Sequence, residues 1–376
     1  MNTEAWRGVQ RLLDDYVKVR PDDRVMVIYA SDSEEQAAWI SVALECRQIA
    51  FCRVWMQPLH DMGFQKRLLS AMPSPSSFRG RIVVITLERD TLSHHEKLRI
   101  ALAPYERSRR LVFRIINACE ALFSTALQVG PETLSARNTA ILERALVSNR
   151  MRITSPGGTD LRIVLDNNQY RWVSNRGSAR PGGTVVLPAG EVATFPASVD
   201  GVLVADFAFN VNALTSQDAR LQDHPVTVEI NERRAVHWAC QNQSVQRFLD
   251  ECFSQLCVRN VGELGLGTNI GITASLKLNS HINERCPGVH IGFGQHNQDP
   301  ERVGYDCRLH LDLIARGGSV WFDDDPVPLD LANLLPSINP HPVSPRDEDA
   351  FQPDDDEILE DCCGVMTCDG LRLTSA

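Results

Sequence analysis

Four short, mostly apolar runs, at 24–30, 51–55, 81–86 and 110–115, constrain the first half of this chain more than any other feature. They have the length and composition of strands, and 24–30 is of the type buried on both faces. Stretches with apolar residues at helical spacing surround them. The first spans 4–18, with Trp6, Val9, Leu12, Leu13, Tyr16 and Val17. Pro21-Asp22-Asp23 ends it, and Ser31 or Ser33 can cap the next, whose first turn carries Glu34 and Glu35. Others follow near 62–72, 91–104, 118–127 and 131–148. Strands alternating with helices imply an α/β domain, a mostly parallel sheet with helices on both faces, over residues 1–150. Such sheets often cradle phosphates, but GxGxxG is absent after the first strand and GxxxxGK[ST] is absent throughout. This half therefore reads as a scaffold.

From Met151 the texture changes. Turn clusters at Pro156-Gly157-Gly158, Asp166-Asn167-Asn168 and Arg180-Pro181-Gly182-Gly183 separate strand-like runs at 161–165, 170–173, 185–192, 199–204 and 226–230. One helix is expected from Gln243 to about Cys257, with Val245, Phe248, Leu249, Cys252 and Leu256 inward. Residues 151–335 thus form a β-rich α+β domain. Residues 336–376 are a proline-containing, acidic extension with Cys362, Cys363 and Cys368, expected to be a disordered, solvated tail.

The chemistry concentrates in this second domain. Read at a period of two, 304–314 is a strand with Leu309, Leu311 and Leu313 on one face and His310 and Asp312 on the other. Just upstream, Val289, Ile291 and Phe293 alternate with His290, between glycines 288, 292 and 294. Two imidazoles and a carboxylate on neighbouring strands, unobstructed by side chains, suit a divalent metal. Gly262–Gly267 reads as a tight turn, Lys277 as a solvated lysine, and His281 and His296 as surface or supporting groups. Cys286 and Cys307 lie close in sequence to the proposed ligands.

A net charge of −10 with no basic stripe argues against nucleic acid as a partner. No run of eighteen apolar residues occurs, and the first residues have no signal-peptide pattern, so no membrane partner and a cytoplasmic location are expected. Eleven scattered cysteines suit a reducing compartment and argue against a disulfide framework.

An ordered series of motifs carries a family resemblance: Gly158-Thr159-Asp160-Leu161, Leu187-Pro188-Ala189-Gly190-Glu191-Val192, Gly262-Glu263-Leu264-Gly265-Leu266-Gly267-Thr268-Asn269, Val289-His290-Ile291-Gly292-Phe293-Gly294 and His310-Leu311-Asp312. It resembles the metallo-aminopeptidase family that includes aminopeptidases S and T, especially its leucyl aminopeptidase-like branch. The resemblance implies a homodimer whose second domain holds two ions of zinc, cobalt or manganese and cleaves the N-terminal residue of a small peptide. It places the metal ligands on Glu191, Glu263, His290, His310 and Asp312, with Glu191 also the choice for general base. Glu284 is one residue out of step with a further family glutamate. Position 297 is Asn where the family has its catalytic tyrosine, so Tyr305 or His296 would stand in. The chain also resembles 2,5-dihydroxypyridine dioxygenases, through His310-Leu311-Asp312 and Ser319-Val320-Trp321-Phe322-Asp323-Asp324. That resemblance implies one iron(II) on His290, His310 and Asp312, and ring cleavage of an aromatic or heteroaromatic small molecule. The functional expectations are accordingly a metal-dependent hydrolase, a non-haem iron oxygenase, or a silent scaffold of the same fold.

Overall fold

The computed structural model describes residues 1–57, 60–88, 94–180, 182–213 and 215–342. Among these, contacts separate two units, 1–132 with 177–189, and 133–176 with 190–342. The proposed cysteine cluster at 362–368 lies outside the described residues, as does most of the acidic tail.

The first unit is built on a parallel five-stranded sheet in the order Ala50–Trp55, Arg24–Tyr29, Ile82–Glu88, Arg110–Ile116, Thr184–Leu187. Met26, Ile28, Val84 and Val112 face a core completed by Phe64, Leu68, Leu98 and Leu102 from the helices Phe64–Ala71 and His95–Leu102. The alternate residues Val25, Val27, Val83, Ile85 and Phe113 are equally buried on the opposite face. The α/β expectation stands. Its fifth strand, however, comes from the run at 185–192 that the sequence assigned whole to the second domain. Pro188 offers no backbone donor to a ladder, and Gly190 takes a φ of +112°, so the run splits. Thr184–Leu187 pairs with Arg110–Ile116, and Glu191–Thr194 becomes a separate strand of the second unit.

At the carboxyl end of the central strands, Arg114 donates to Glu88 at 2.6 Å, and both are buried. Its Nη1 lies 3.3 Å from His95 Nδ1. Burial, reinforced by Arg114 and Arg99, pushes His95 down to about 4. An unfolded chain protonates this ring near about 6.5. Between those values the unfolded state holds the extra proton, so the His95 contribution lowers stability as pH falls from about 6.5 to about 4. His95→Gln should narrow the difference in melting temperature between pH 7 and pH 5. An unchanged difference would mean that the ring is open to water.

The second unit contains a seven-stranded sheet and a six-stranded sheet, both antiparallel among the described residues. They share one core. Ile153, Leu161, Ile163, Val199, Leu203 and Val228 come from the larger sheet, and Leu264, Leu266, Ile291, Phe293, Leu311 and Leu313 from the smaller. The helix Gln243–Ser254 packs Val245, Phe248, Leu249 and Cys252 into it. That helix is shorter than the sequence suggested, and Leu256, expected inward, is exposed. Cys257 follows it and forms a disulfide with Cys307, where the sequence argues against a disulfide framework.

Two further boundaries move. The helix Pro131–Ala145 groups with the second unit from Thr133 onward, so a single division at 150 does not describe the contacts. Ala140, Ile141, Leu142 and Ala145 join that unit's core, and Asn138, fully buried, donates through Nδ2 to the Glu191 carbonyl at 2.8 Å and to Ser174 Oγ at 3.0 Å. Its Oδ1 accepts from Thr268 Oγ1 at 2.6 Å. Asn138→Ala should destabilise the protein by about 1–3 kcal/mol for each buried polar group left unsatisfied, read as a shift in the urea midpoint. The strand expected from 304 begins at His310, because Gly304, with φ of +85°, ends the short helix Pro300–Val303.

Candidate metal centre

The six-stranded sheet runs Ala208–Val211, His310–Arg316, Gly288–Gly294, Val261–Gly267, Glu191–Thr194, Trp172–Asn175. Alternation sends Leu311, Ile291 and Leu264 to the core and leaves the other face to His310, Asp312, His290, Glu263 and Glu191. Gly265, Gly267 and Gly292 occupy much of the rest of that face. Gly265 is the register partner of His290, and a Cβ there would stand 1.9 Å from Nε2. A Cβ on Gly292 would stand 2.7 Å from His310 Cε1 and 2.9 Å from Asp312 Oδ1. Val261–Gly267 is therefore a buried strand, not a turn, and its glycines make room for the imidazoles.

All five proposed ligands are buried. His290 Nε2 lies 2.9 Å from Glu191 Oε1 and 3.5 Å from Glu263 Oε1. Ligand atoms of Glu263, His290 and Asp312 lie within 4.8 Å of one another, and so do those of Glu191, Glu284 and His290. Glu284, set aside on spacing, therefore belongs to the cluster. Among the described residues, neither ring nitrogen of His290 makes a hydrogen bond of good geometry, nor does Glu191 Oε1, although Nε2 and Oε1 face each other. Each orphaned polar atom in such a dry place costs on the order of 1–3 kcal/mol. A cation against both would remove that cost, and ligand distances of about 2.0–2.2 Å fit the observed separations. The donor set, carboxylate oxygen and imidazole nitrogen without thiolate, suits zinc, manganese or iron(II).

Electrostatics agree. Burial opposes a charge on His290, but Glu191 and Glu263 overcome it and hold the ring's pKa well above the ordinary value. Burial also works against the Glu191 carboxylate, yet Arg285 and His290 keep it ionised. Glu284 is pushed upward by burial and by Asp312. The site thus draws positive charge inward.

His310 is arranged differently. Its Nδ1 lies 2.9 Å from the Gln295 carbonyl and its Nε2 2.9 Å from Asp312 Oδ1. Although burial resists it, Asp312 raises the ring to about 10. Asn212 holds the strand entry, accepting from the His310 amide at 2.8 Å and donating to Gln295 Oε1 at 2.8 Å. An ion taking Nε2 would displace its proton.

Tyr305 is not brought to the cluster. Its hydroxyl donates to the Gly294 carbonyl at 3.0 Å, and His296 bonds the Tyr305 carbonyl through Nε2 at 2.9 Å. Cys307 is held in the disulfide, and Cys286 is a buried thiol outside the ligand groups. Sequence reasoning missed Arg285 and Asn210. Asn210 Nδ2 donates to Glu284 Oε1, and Arg285 Nη1 contacts Glu191 Oε2 at 2.5 Å and Glu284 Oε2 at 3.1 Å. Neither lies in a motif; only the polar run Asn283-Glu284-Arg285 hinted at them.

With this geometry in place, comparison with known proteins is informative. The profile of the crocagin biosynthetic protein CgnE/B family matches residues 196–318, spanning Glu263 to Asp312. Among solved structures, the chain is similar to 2,5-dihydroxypyridine dioxygenase from Pseudomonas putida KT2440, with TM-score 0.57 and 16% identity over 86% of this chain and 95% of that one. It is also similar to wild-type AmpT from Thermus thermophilus, with TM-score 0.52 and 14% identity over 88% of this chain and 99% of that one. At such identities the likeness is one of fold. No curated protein matches. Among the described residues, no helix is long and apolar enough to cross a membrane. The profile of 2,5-dihydroxypyridine 5,6-dioxygenase matches residues 15–235, more than half of the 376, and the chain belongs to that family.

Proposed function

We propose that the protein is a metal-dependent hydrolase that cleaves a peptide or amide bond of a small substrate. Glu263, His290 and Asp312 would hold the ion and Glu191 would serve as base. The carrying observation is the carboxylate of Glu191. It is buried, kept ionised by Arg285 and His290, and anchored through Oε2 by Arg285, while its Oε1 faces His290 Nε2 at 2.9 Å and makes no hydrogen bond of good geometry among the described residues. With an ion on that imidazole nitrogen in place of its proton, such an oxygen would be free to accept a proton, and its orientation is fixed in advance. A bound divalent ion supplies a Lewis acid and lowers the pKa of its water. The ligand atoms that lie together are rich in carboxylates, with one imidazole per group. This favours hydrolysis over oxygen chemistry.

The second reading is a mononuclear iron(II) oxygenase. It is favoured by the family match over 15–235 and by the His310–Asp312 pair beside His290. The match ends before Glu263, so it carries none of the other ligands. Aerobic and anaerobic assays separate the two. Zinc- or manganese-loaded protein should release amine from aminoacyl p-nitroanilides or dipeptides with and without oxygen. Turnover only of 2,5-dihydroxypyridine, with iron and with oxygen consumed, would overturn the hydrolase reading.

A further inference from the structure

We infer that Arg285 is a built-in counter-cation that occupies the place of a second metal ion, so that the centre takes one divalent ion per chain. The inference rests on the metal-binding part of the reading above and is independent of hydrolysis. Its basis is an account of acceptor atoms. Two groups of ligand atoms share His290, whose Nε2 can serve one ion, so a second ion would have to rest on Glu191 and Glu284. In the group formed with Glu191 and Glu284, protein donors already engage three of the four carboxylate oxygens. Glu284 Oε1 accepts from Asn210, Glu284 Oε2 lies 3.1 Å from Arg285 Nη1, and Glu191 Oε2 lies 2.5 Å from the same nitrogen.

One nitrogen within hydrogen-bonding reach of both carboxylates stands where an ion shared by them would have to stand. Arg285 is itself buried, only 2% exposed, and its guanidinium cannot shed its charge at any ordinary pH. The segment that carries it is fixed as well. The Asn269 amide donates to the Arg285 carbonyl at 2.9 Å, and a Cβ on Gly267 would collide with the backbone of Glu284, Arg285 and Cys286. The cation is thus carried by a buried side chain on a tightly packed backbone. The remaining group, Glu263, His290 and Asp312, pairs with no arginine among the described residues and keeps Glu191 Oε1 at its edge. That group is the one that takes an ion.

Metal content settles this without reference to turnover. Chelator-stripped protein is titrated with zinc and with manganese alone, and bound metal is counted by elemental analysis. Wild type should saturate at one ion per chain, and Arg285→Met at two. Two ions in wild type would overturn the assignment of Arg285 and leave the functional reading standing. No ion in wild type would overturn both. A variant that still takes one ion would show that Glu191 and Glu284 form no latent site, which also overturns the assignment. Should Arg285→Met fail to fold, wild-type crystals soaked in zinc decide. Anomalous density beside His290 and Asp312 alone supports the inference, and density between Glu191 and Glu284 refutes it.

Discussion

Glu191→Gln should lower kcat by about 10²–10⁴-fold, the usual worth of a positioned general base, while metal content stays at the wild-type level. The amide keeps the carboxylate's shape, and its oxygen can still accept from Arg285 Nη1, 2.5 Å from Glu191 Oε2. What it loses is the capacity to take a proton at the atom that faces His290 Nε2 at 2.9 Å. Arg285 would not be stranded, because Glu284 also pairs with it. Folding should therefore survive, and a near-UV spectrum matching wild type would confirm it. Steady-state kinetics on the zinc- or manganese-loaded variant make the measurement. A kcat within about threefold of wild type would remove Glu191 as the base.

The second large effect is expected from a single methyl group. Gly265→Ala places a Cβ 1.9 Å from His290 Nε2 and 2.2 Å from Cε1, closer than non-bonded atoms can stand. The ring must rotate away from Glu191 and Glu263, or the two central strands must part. Overpacking of this kind typically costs about 1–3 kcal/mol. The larger consequence is for the ion, since His290 belongs to both ligand groups. Binding of zinc should weaken by about 10–100-fold, comparable to losing a group that orients a ligand. Calorimetric titration against a chelator of known affinity measures this, with urea unfolding as the check on folding. Unchanged affinity would mean that His290 does not hold the metal.

Much of this was legible from the sequence, and the reasons differ by element. The parallel sheet declared itself because strands such as Ile82–Glu88 are buried on both faces and leave an unbroken apolar run. The alternation at Gly288–Gly294 and at 309–313 correctly separated core leucines from His290, His310 and Asp312, since a period of two survives wherever one face is buried. The fifth parallel strand was hidden because 184–194 reads as one apolar run, interrupted only by Pro188 and Gly190. Arg285, Asn210 and Asn138 were hidden for another reason. Their neighbours lie far away along the chain, as with Asn138 and Thr268, and no local pattern encodes such a meeting. The Cys257–Cys307 bond, 50 residues apart, left no spacing signal either.

The excursion of 177–189 has a practical consequence for anyone wishing to dissect this molecule. The polypeptide crosses from one unit to the other three times among the described residues, near 132, 176 and 189. No single cut can liberate either half intact. A fragment stopped at 150 would strip Thr184–Leu187 from Arg110–Ile116 and bare that strand's backbone as an open, adhesive margin. Clean separation calls for grafting residues 177–189 onto the amino-terminal piece through a designed loop, and bridging 176 to 190 in the other.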